Sequence, residues 1–334
     1  MRHVMLTGAT GYLGGAVLRE LLGASYQVRA FVRDAARLDA GVRERVEIAT
    51  GDLLDPSAVR AACRGVDAVF HVAGLAADWV PDATRFHAVN VEGTRHVLQA
   101  ARAAGVPRVV VTSSVMAIGP TDGDVADELT TPGPPLMPYT AAKAEARALC
   151  HAERHDGLEV TVTLPGAIFG AGPLTDGNYF AQVMEALRTG AYPCLPRLAG
   201  YRWCLVHVDD VARGHRLAYE RGEADADYVL GGDNVPFDRL LETMRGELGL
   251  ARLPRRVPAW TMMLGARVVA GWHGLRRTRP PVSLGGARAL VRGWAFSSAR
   301  AQADLGYTWR AFDDAFPEFV RWFRADRRDG RSES

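Results

Sequence analysis

Lysine is all but missing from the chain. Lys143 is the only one, and the other 39 of the 40 basic residues are arginine. A position that keeps an ammonium where guanidinium is used everywhere else marks chemistry that needs a compact point charge rather than a planar fork. Cysteine is scarce as well: Cys63, Cys150, Cys194 and Cys204 form no CxxC pair and stand near no histidine cluster at zinc-finger spacing. That excludes a zinc module and points to reduced thiols in a cytoplasmic protein, with no bound metal expected. Long apolar runs are lacking. The longest near the C-terminus, Ala259 to Trp272, covers about 14 residues and is broken by Arg267, short of the roughly 20 needed to span a bilayer. The stretch before the first glycine turn is too short for the core of a signal peptide. Net charge is small, +2, and no lysine-rich block offers itself to phosphates, which excludes a dedicated nucleic-acid binder. The 334 residues, 48% hydrophobic, suffice for one large domain or two modest ones. Small-molecule chemistry is the expected work.

The first half alternates short apolar runs with helical patterns. Val4 to Thr7, Gln27 to Val32, Val46 to Ala49, Ala68 to Val72, Val109 to Ser113 and Glu159 to Leu164 read as strands. Gly14 to Leu22, Pro56 to Cys63, Val91 to Ala104 and Ala141 to Glu153 read as helices. Strict alternation predicts βαβ units in an α/β fold, a doubly wound parallel sheet covered on both faces. After Pro165 glycine and proline become frequent. Helical patterns dominate from there, at Tyr179 to Arg188, Val208 to Glu220, Phe237 to Leu248, Ala259 to Ala270 and Phe312 to Phe323, as expected of a smaller C-terminal lobe. The expected division is therefore 1–165 for the sheet domain, with part of 200–225 returning to it, 166–325 mainly for the lobe, and a flexible tail at 326–334. Residues 251–300 carry ten arginines and no acid, a segment suited to an anionic substrate or membrane surface, or else a solvated face balanced elsewhere.

Thr7-Gly8-Ala9-Thr10-Gly11-Tyr12-Leu13-Gly14 puts glycines at three-residue spacing where the first strand gives way to the first helix. Gly8 serves the tight turn, Gly11 lets backbone N–H groups approach a pyrophosphate, and Gly14 lets helix and strand pack closely. Asp52, before Leu53, stands where an adenine amine would donate, and Ala73-Gly74 where the cofactor would lie against backbone. At the end of the second strand Val32 occupies the place of the carboxylate that binds a ribose 2′-hydroxyl. Arg33 follows, suited to a 2′-phosphate, so NADP is expected, while Asp34 leaves NAD possible.

Tyr139 precedes the lone lysine by four residues, which on a helix places phenol and ammonium on one face. The ammonium is expected to lower the pKa of the phenol and make Tyr139 a proton donor and acceptor, and Lys143 can also hold the nicotinamide ribose. Val109-Val110-Val111-Thr112-Ser113-Ser114 ends a strand in hydroxyls, and Ser114 is the one chosen to polarise a carbonyl, with Thr112 and Ser113 behind it. His71 and His207, isolated in apolar runs, read as structural.

These motifs, with Asn90-Val91-Glu92-Gly93-Thr94, Pro165-Gly166-Ala167-Ile168-Phe169-Gly170 and Val206-His207-Val208-Asp209-Asp210-Val211-Ala212, resemble the extended short-chain dehydrogenase/reductase family from the N-terminus to about Phe323. Within it the chain is similar to the dihydroflavonol-reductase-like branch and its bacterial relatives, which include hopanoid-associated sugar epimerases. The resemblance implies a Rossmann-type sheet with a C-terminal substrate lobe, a Ser114-Tyr139-Lys143 triad, and cofactor contacts from Gly8, Thr10, Gly11, Tyr12, Leu13, Gly14, Pro165 and Ile168. It departs from sugar-nucleotide members, which carry an arginine where Trp203 stands. An Arg-Pro-Gly-Asp-like element is missing near residue 290, and the Asp-Glu pair of the dehydratases is replaced by Val115-Met116. A tryptophan pointing into the pocket suits a planar, apolar substrate, and Trp79, Phe169, Tyr179 and Phe180 are further candidates for its walls. The expected activity is NADPH-dependent reduction of a ketone or aldehyde on a small, largely apolar molecule, by a protein that can form a homodimer. A sugar-nucleotide epimerase or dehydratase and a redox-silent NADP sensor are the alternatives.

Overall fold

The computed structural model describes residues 2–154, 157–276, 278, 280 and 283–329. Strand β1 (His3–Thr7) leads through the glycine turn into helix α1 (Tyr12–Gly23). Then come β2 (Gln27–Val32), α2 (Ala40–Arg43), β3 (Glu47–Thr50), α3 (Pro56–Cys63), β4 (Ala68–His71), α4 (Thr84–His87), α5 (Gly93–Ala103), β5 (Arg108–Thr112), α6 (Pro138–Ala152) and β6 (Glu159–Pro165). The rest of the chain forms β7 (Ala167–Phe169), α7 (Tyr179–Thr189), β8 (Cys194–Pro196), β9 (Arg202–His207), α8 (Val208–Arg221), β10 (Asp227–Leu230) and β11 (Asp233–Pro236). It continues with α9 (Phe237–Leu248), β12 (Arg255–Val257), α10 (Ala259–Arg276), α11 (Leu284–Leu290), α12 (Ala299–Leu305) and α13 (Phe312–Asp329).

Seven strands make one parallel sheet in the order β10-β6-β5-β4-β1-β2-β3, the doubly wound Rossmann-type α/β arrangement. Helices cover both faces, so its central strands are apolar on both sides; Val4, Met5, Leu6, Val109 and Val110 are all fully buried. The strand order reverses between β1 and β4, and ligands bind at the carboxyl ends of strands beside such a reversal. Local signals set the helix starts. The Asp55 carboxylate accepts from the N–H groups of Ser57 and Ala58 at 2.9 and 3.3 Å ahead of Pro56 in α3. Pro138 likewise opens α6 three residues earlier than its apolar spacing predicts, which brings Tyr139 into the first helical turn.

The seventh strand comes from the second half of the chain. Strand β10, unanticipated in the sequence, pairs with β6 at the edge of the sheet, and α8 packs on α1 across the same face. Strands β7, β9 and β11 form a second small sheet, and β8 pairs with β12. They run only three to six residues, too short for alternation to be read. Helix α13 continues through Asp329, past the point where a tail was expected. Residues 330–334 of that tail lie outside the described residues.

Candidate functional site

Gly8 turns the chain with φ +81°, and a Cβ there would stand 2.7 Å from the backbone nitrogen of Ala73, so β1 and the loop after β4 meet only because the side chain is absent. At Gly14 a Cβ would fall 1.9 Å from the Gly8 carbonyl oxygen, which lets α1 close onto the turn. Gly11 is the N-cap of α1 and has no side chain to satisfy the first-turn N–H groups. These donors and the positive end of the helix fit a pyrophosphate. Thr10 and Leu13 are half-buried beside the turn. Tyr12 is buried and points away from it, its hydroxyl donating to the Gly170 carbonyl at 3.0 Å, so it ties the turn to the loop after β7. Pro165 is buried at the end of β6 and Ile168 half-buried on β7.

A chain of buried hydrogen bonds supports the cradle. The Ala73 N–H donates to Thr7 Oγ1 at 3.1 Å, Thr7 Oγ1 lies 2.8 Å from His71 Nδ1, His71 Nε2 lies 3.1 Å from Thr94 Oγ1, and Thr94 donates to the Asn90 carbonyl at 2.7 Å. Because Thr94 spends its proton on Asn90, the proton of His71 is on Nε2. Burial, with the nearby Lys143 charge, pushes His71 down to about 3, so it stays neutral. Asn90 Oδ1 accepts from the Leu75 N–H at 2.8 Å and fixes the loop that carries Gly74. Sequence reasoning quoted Asn90 within a motif without giving it this work.

Asp52 is exposed after β3 and accepts from the Leu54 N–H at 2.9 Å; Leu53 offers its carbonyl to His96 Nδ1 at 2.8 Å. Arg33, at the end of β2, is exposed and has no hydrogen-bond or ion-pair partner among the described residues. Its neighbour Asp34 is engaged: the carboxylate caps the turn Ala35–Arg37, accepting from the Ala36 N–H at 2.9 Å. The local acid is thus committed to backbone while the guanidinium reaches into solvent.

Ser114, Tyr139 and Lys143 converge at the carboxyl end of β5. Ser114 stands beside the phenol of Tyr139, and its hydroxyl accepts from the Met116 N–H at 3.2 Å. Lys143 is buried, and its Nζ donates to the Thr112 carbonyl at 2.9 Å. A Cβ on Gly74 would lie 3.4 Å from that Nζ, so the ammonium faces the strip of backbone where a cofactor would run. Thr112 is withdrawn from the chemistry. Its hydroxyl meets His215 Nε2 at 2.8 Å, while His215 Nδ1–H donates to Val211. Ser113 is buried with no partner for its hydroxyl among the described residues.

The direction of the tyrosine shift is opposite to expectation. Burial pushes the phenol of Tyr139 up to about 12, with only the neighbouring Ser114 hydroxyl working against it. Burial brings the Lys143 ammonium down to about 8. The two groups share a helix face, yet Nζ is turned to the Thr112 carbonyl, and loss of water at the phenol outweighs the distant charge.

Helix α6 is itself anchored by residues that the sequence reading passed over. Arg147, His151 and Arg154 continue the Tyr139–Lys143 face and meet Asp227 on β10. Arg147 Nε donates to Asp227 at 2.6 Å, His151 Nε2 lies 2.9 Å away, and Arg154 completes the cluster. Their helical spacing was the available signal, but their partner lies on the unrecognised strand.

The five proposed pocket aromatics separate. Phe169 and Phe180 are fully buried and pack with Phe316 in the lobe core. Trp203 is also core: it packs on Phe237, and its indole N–H donates to the Arg292 carbonyl at 3.1 Å rather than entering a pocket. The short strands β7 and β9 put Phe169 and Trp203 there. Trp79 is half-buried on the loop after β4, and Tyr179 remains 38% exposed at the start of α7. His207 caps α8 by accepting from the Asp209 N–H at 3.2 Å.

Residues 4–231 match the NAD dependent epimerase/dehydratase family. The chain is 32% identical to a sterol demethylase protein B of Methylococcus capsulatus over 335 residues, covering 96% of this chain and 98% of that one. It is 32% identical to a 2-alkyl-3-oxoalkanoate reductase of Stenotrophomonas maltophilia, covering 91% and 94%. Among solved structures, a dTDP-glucose 4,6-dehydratase double mutant of Streptomyces venezuelae, determined with NAD bound, superposes with a TM-score of 0.76 at 25% identity, covering 98% of each chain.

Proposed function

The chain belongs to the NAD dependent epimerase/dehydratase family, an NAD(P)-dependent oxidoreductase of the extended short-chain dehydrogenase/reductase type, and from that premise we propose that it is an NADPH-dependent reductase of a ketone or aldehyde on a small, largely apolar molecule. One observation carries the reading: half-buried Ser114 and Tyr139 stand with buried Lys143 at the strand ends in line with the glycine cradle, with the phenol held protonated at neutral pH.

When bound, the nicotinamide supplies the hydride. Ser114 donates a hydrogen bond to the substrate oxygen as negative charge grows there. Tyr139 keeps its proton until that oxygen becomes basic and then transfers it from Oη, and a phenol held near 12 suits the direction of reduction. Lys143, braced on the Thr112 carbonyl beside Gly74, would hold a ribose hydroxyl of the cofactor. The unpaired Arg33 supports NADP, since its guanidinium can meet a 2′-phosphate while Asp34 is spent on its cap.

The relatives favour the same substrate class, one being named for a 3-oxoalkanoate and one for a sterol. The sugar-nucleotide alternative finds no arginine at position 203, and Arg202 leans on the Gly123 carbonyl at 3.5 Å. We therefore expect NADPH oxidation in proportion to alcohol formed when the protein meets a panel of aryl and alkyl ketones and aldehydes. Epimerisation of a nucleotide sugar with only catalytic cofactor would refute the proposal.

A further inference from the structure

Ten large apolar side chains stand out from the described surface, and four of them lie on one helix. On α10, Trp260, Leu264, Val268 and Trp272 are 68, 55, 66 and 55% exposed. Spaced by four, they form one continuous ridge on the outer side, while Ala266 is buried and the helix packs on α11 and β8. The other exposed apolar residues are scattered over loops and element ends, a pattern that needs no explanation.

The segment that carries the ridge is basic, although Arg256, Arg292 and Arg300 pair with Asp238, Asp122 and Glu223 from elsewhere. Residues 251–300 contain ten arginines and no Asp or Glu. Arg252, Arg255, Arg267 and Arg276 are exposed and have no acidic partner among the described residues. The guanidinium of Arg276 lies 4.2 Å from the centre of the Trp272 ring, an amphipathic pair placed at one end of the ridge, with Trp260 at the other. A second copy docked on this face by a two-fold axis would set these arginines against themselves with no carboxylate in the segment to answer them. The ridge is convex, which suits a soft, flat surface better than a pocket. Among the described residues no helix is long and apolar enough to cross a membrane.

We propose that α10 lies side-on in the anionic face of a lipid bilayer, its Trp260–Trp272 ridge in the acyl boundary and its arginines at the headgroups. The site stands close by. Ser283, which caps α11, donates to the Asp78 carbonyl at 3.2 Å, and a Cβ on Gly285 would meet the Met137 side chain at 2.9 Å, two residues before Tyr139. Docking would thus set the catalytic opening beside the lipid and let an apolar carbonyl enter without crossing water; that consequence rests on the reductase reading, whereas the docking does not.

Flotation of the full chain with vesicles of phosphatidylcholine, alone or with about 30% phosphatidylglycerol, tests this without any substrate. The protein should float with the anionic vesicles at least about tenfold better than with the neutral ones, and lose that advantage in high salt. Leu264→Glu with Val268→Glu should reduce flotation at least about tenfold while NADPH affinity stays unchanged, and Arg252→Gln with Arg267→Gln should weaken it without touching the ridge. Absence of flotation by the wild type would overturn the proposal. So would a wild-type dimer, seen by light scattering, that the Leu264→Glu, Val268→Glu pair splits while neither protein floats.

Discussion

The two halves of this chain carry function in different materials. In the sheet half, the proposed cofactor cradle is made of backbone: positions where no Cβ fits, a helix N-terminus without a cap, and a strand end where an exposed arginine stands beside an occupied acid. In the lobe, short strands and helices bury Phe169, Phe180 and Trp203 and leave Trp260 and Trp272 outside, so its character lies in which side chains face inward. A cofactor shared across a family can be met by glycines at fixed spacing. A substrate that differs from member to member is met by surfaces that no short motif records.

That contrast can be broken most severely in the lobe core. Phe180→Ala removes a fully buried ring packed between Phe169, Tyr179 and Phe316, and should cost about 3 to 5 kcal/mol of stability. NADPH affinity measured below the melting transition should stay near wild type. A comparable loss of cofactor affinity would mean that lobe and cradle are one unit.

Lys143→Arg attacks the sheet half while keeping net charge. The planar, longer guanidinium cannot both bond the Thr112 carbonyl and face Gly74 as the ammonium does, so turnover should fall at least about a hundredfold, or about 2.7 kcal/mol, with folding and dinucleotide binding retained. Circular dichroism, cofactor titration and single-turnover kinetics separate these effects. Arg33→Ala should act more narrowly, weakening NADPH by about ten- to a hundredfold (roughly 1.5 to 3 kcal/mol) and NADH little. Equal losses for the two cofactors would remove the 2′-phosphate assignment. Smallest is the effect of pH. Lys143 loses its proton as pH rises through about 8, whereas Tyr139, near 12, keeps its own, so kcat/KM for reduction should be level below pH 8 and fall by up to about tenfold per unit above it. A profile level to pH 10 would show that the ammonium is not required.

Much of the sheet half was legible because each of its signals is local. Alternating apolar runs mark β1 to β6, glycine spacing marks the turn, and the single lysine four residues after Tyr139 marks the pair that the fold brings beside Ser114. Whatever depends on distant partners was hidden. Strand β10 is four residues long and makes sense only against β6, and with it went the Asp227 cluster that anchors α6. Trp203 reads as a pocket residue until β9 is seen to bury it. The rise at Tyr139 was missed for the same reason: spacing along a helix shows which charge is near, but not how much water the surrounding chain removes.

The central claim, that Ser114, Tyr139 and Lys143 form the reaction centre of an NADPH-dependent carbonyl reductase, is tested most directly by following the transferred hydrogen. NADPH deuterated at the nicotinamide C4 should deliver one deuterium to the carbinol carbon of a released alcohol. Tyr139→Phe should slow that transfer by at least about a hundredfold while still binding cofactor. Deuterium that stays with the cofactor in the presence of every carbonyl tried, or that passes into a nucleotide sugar recovered as its epimer, would contradict it.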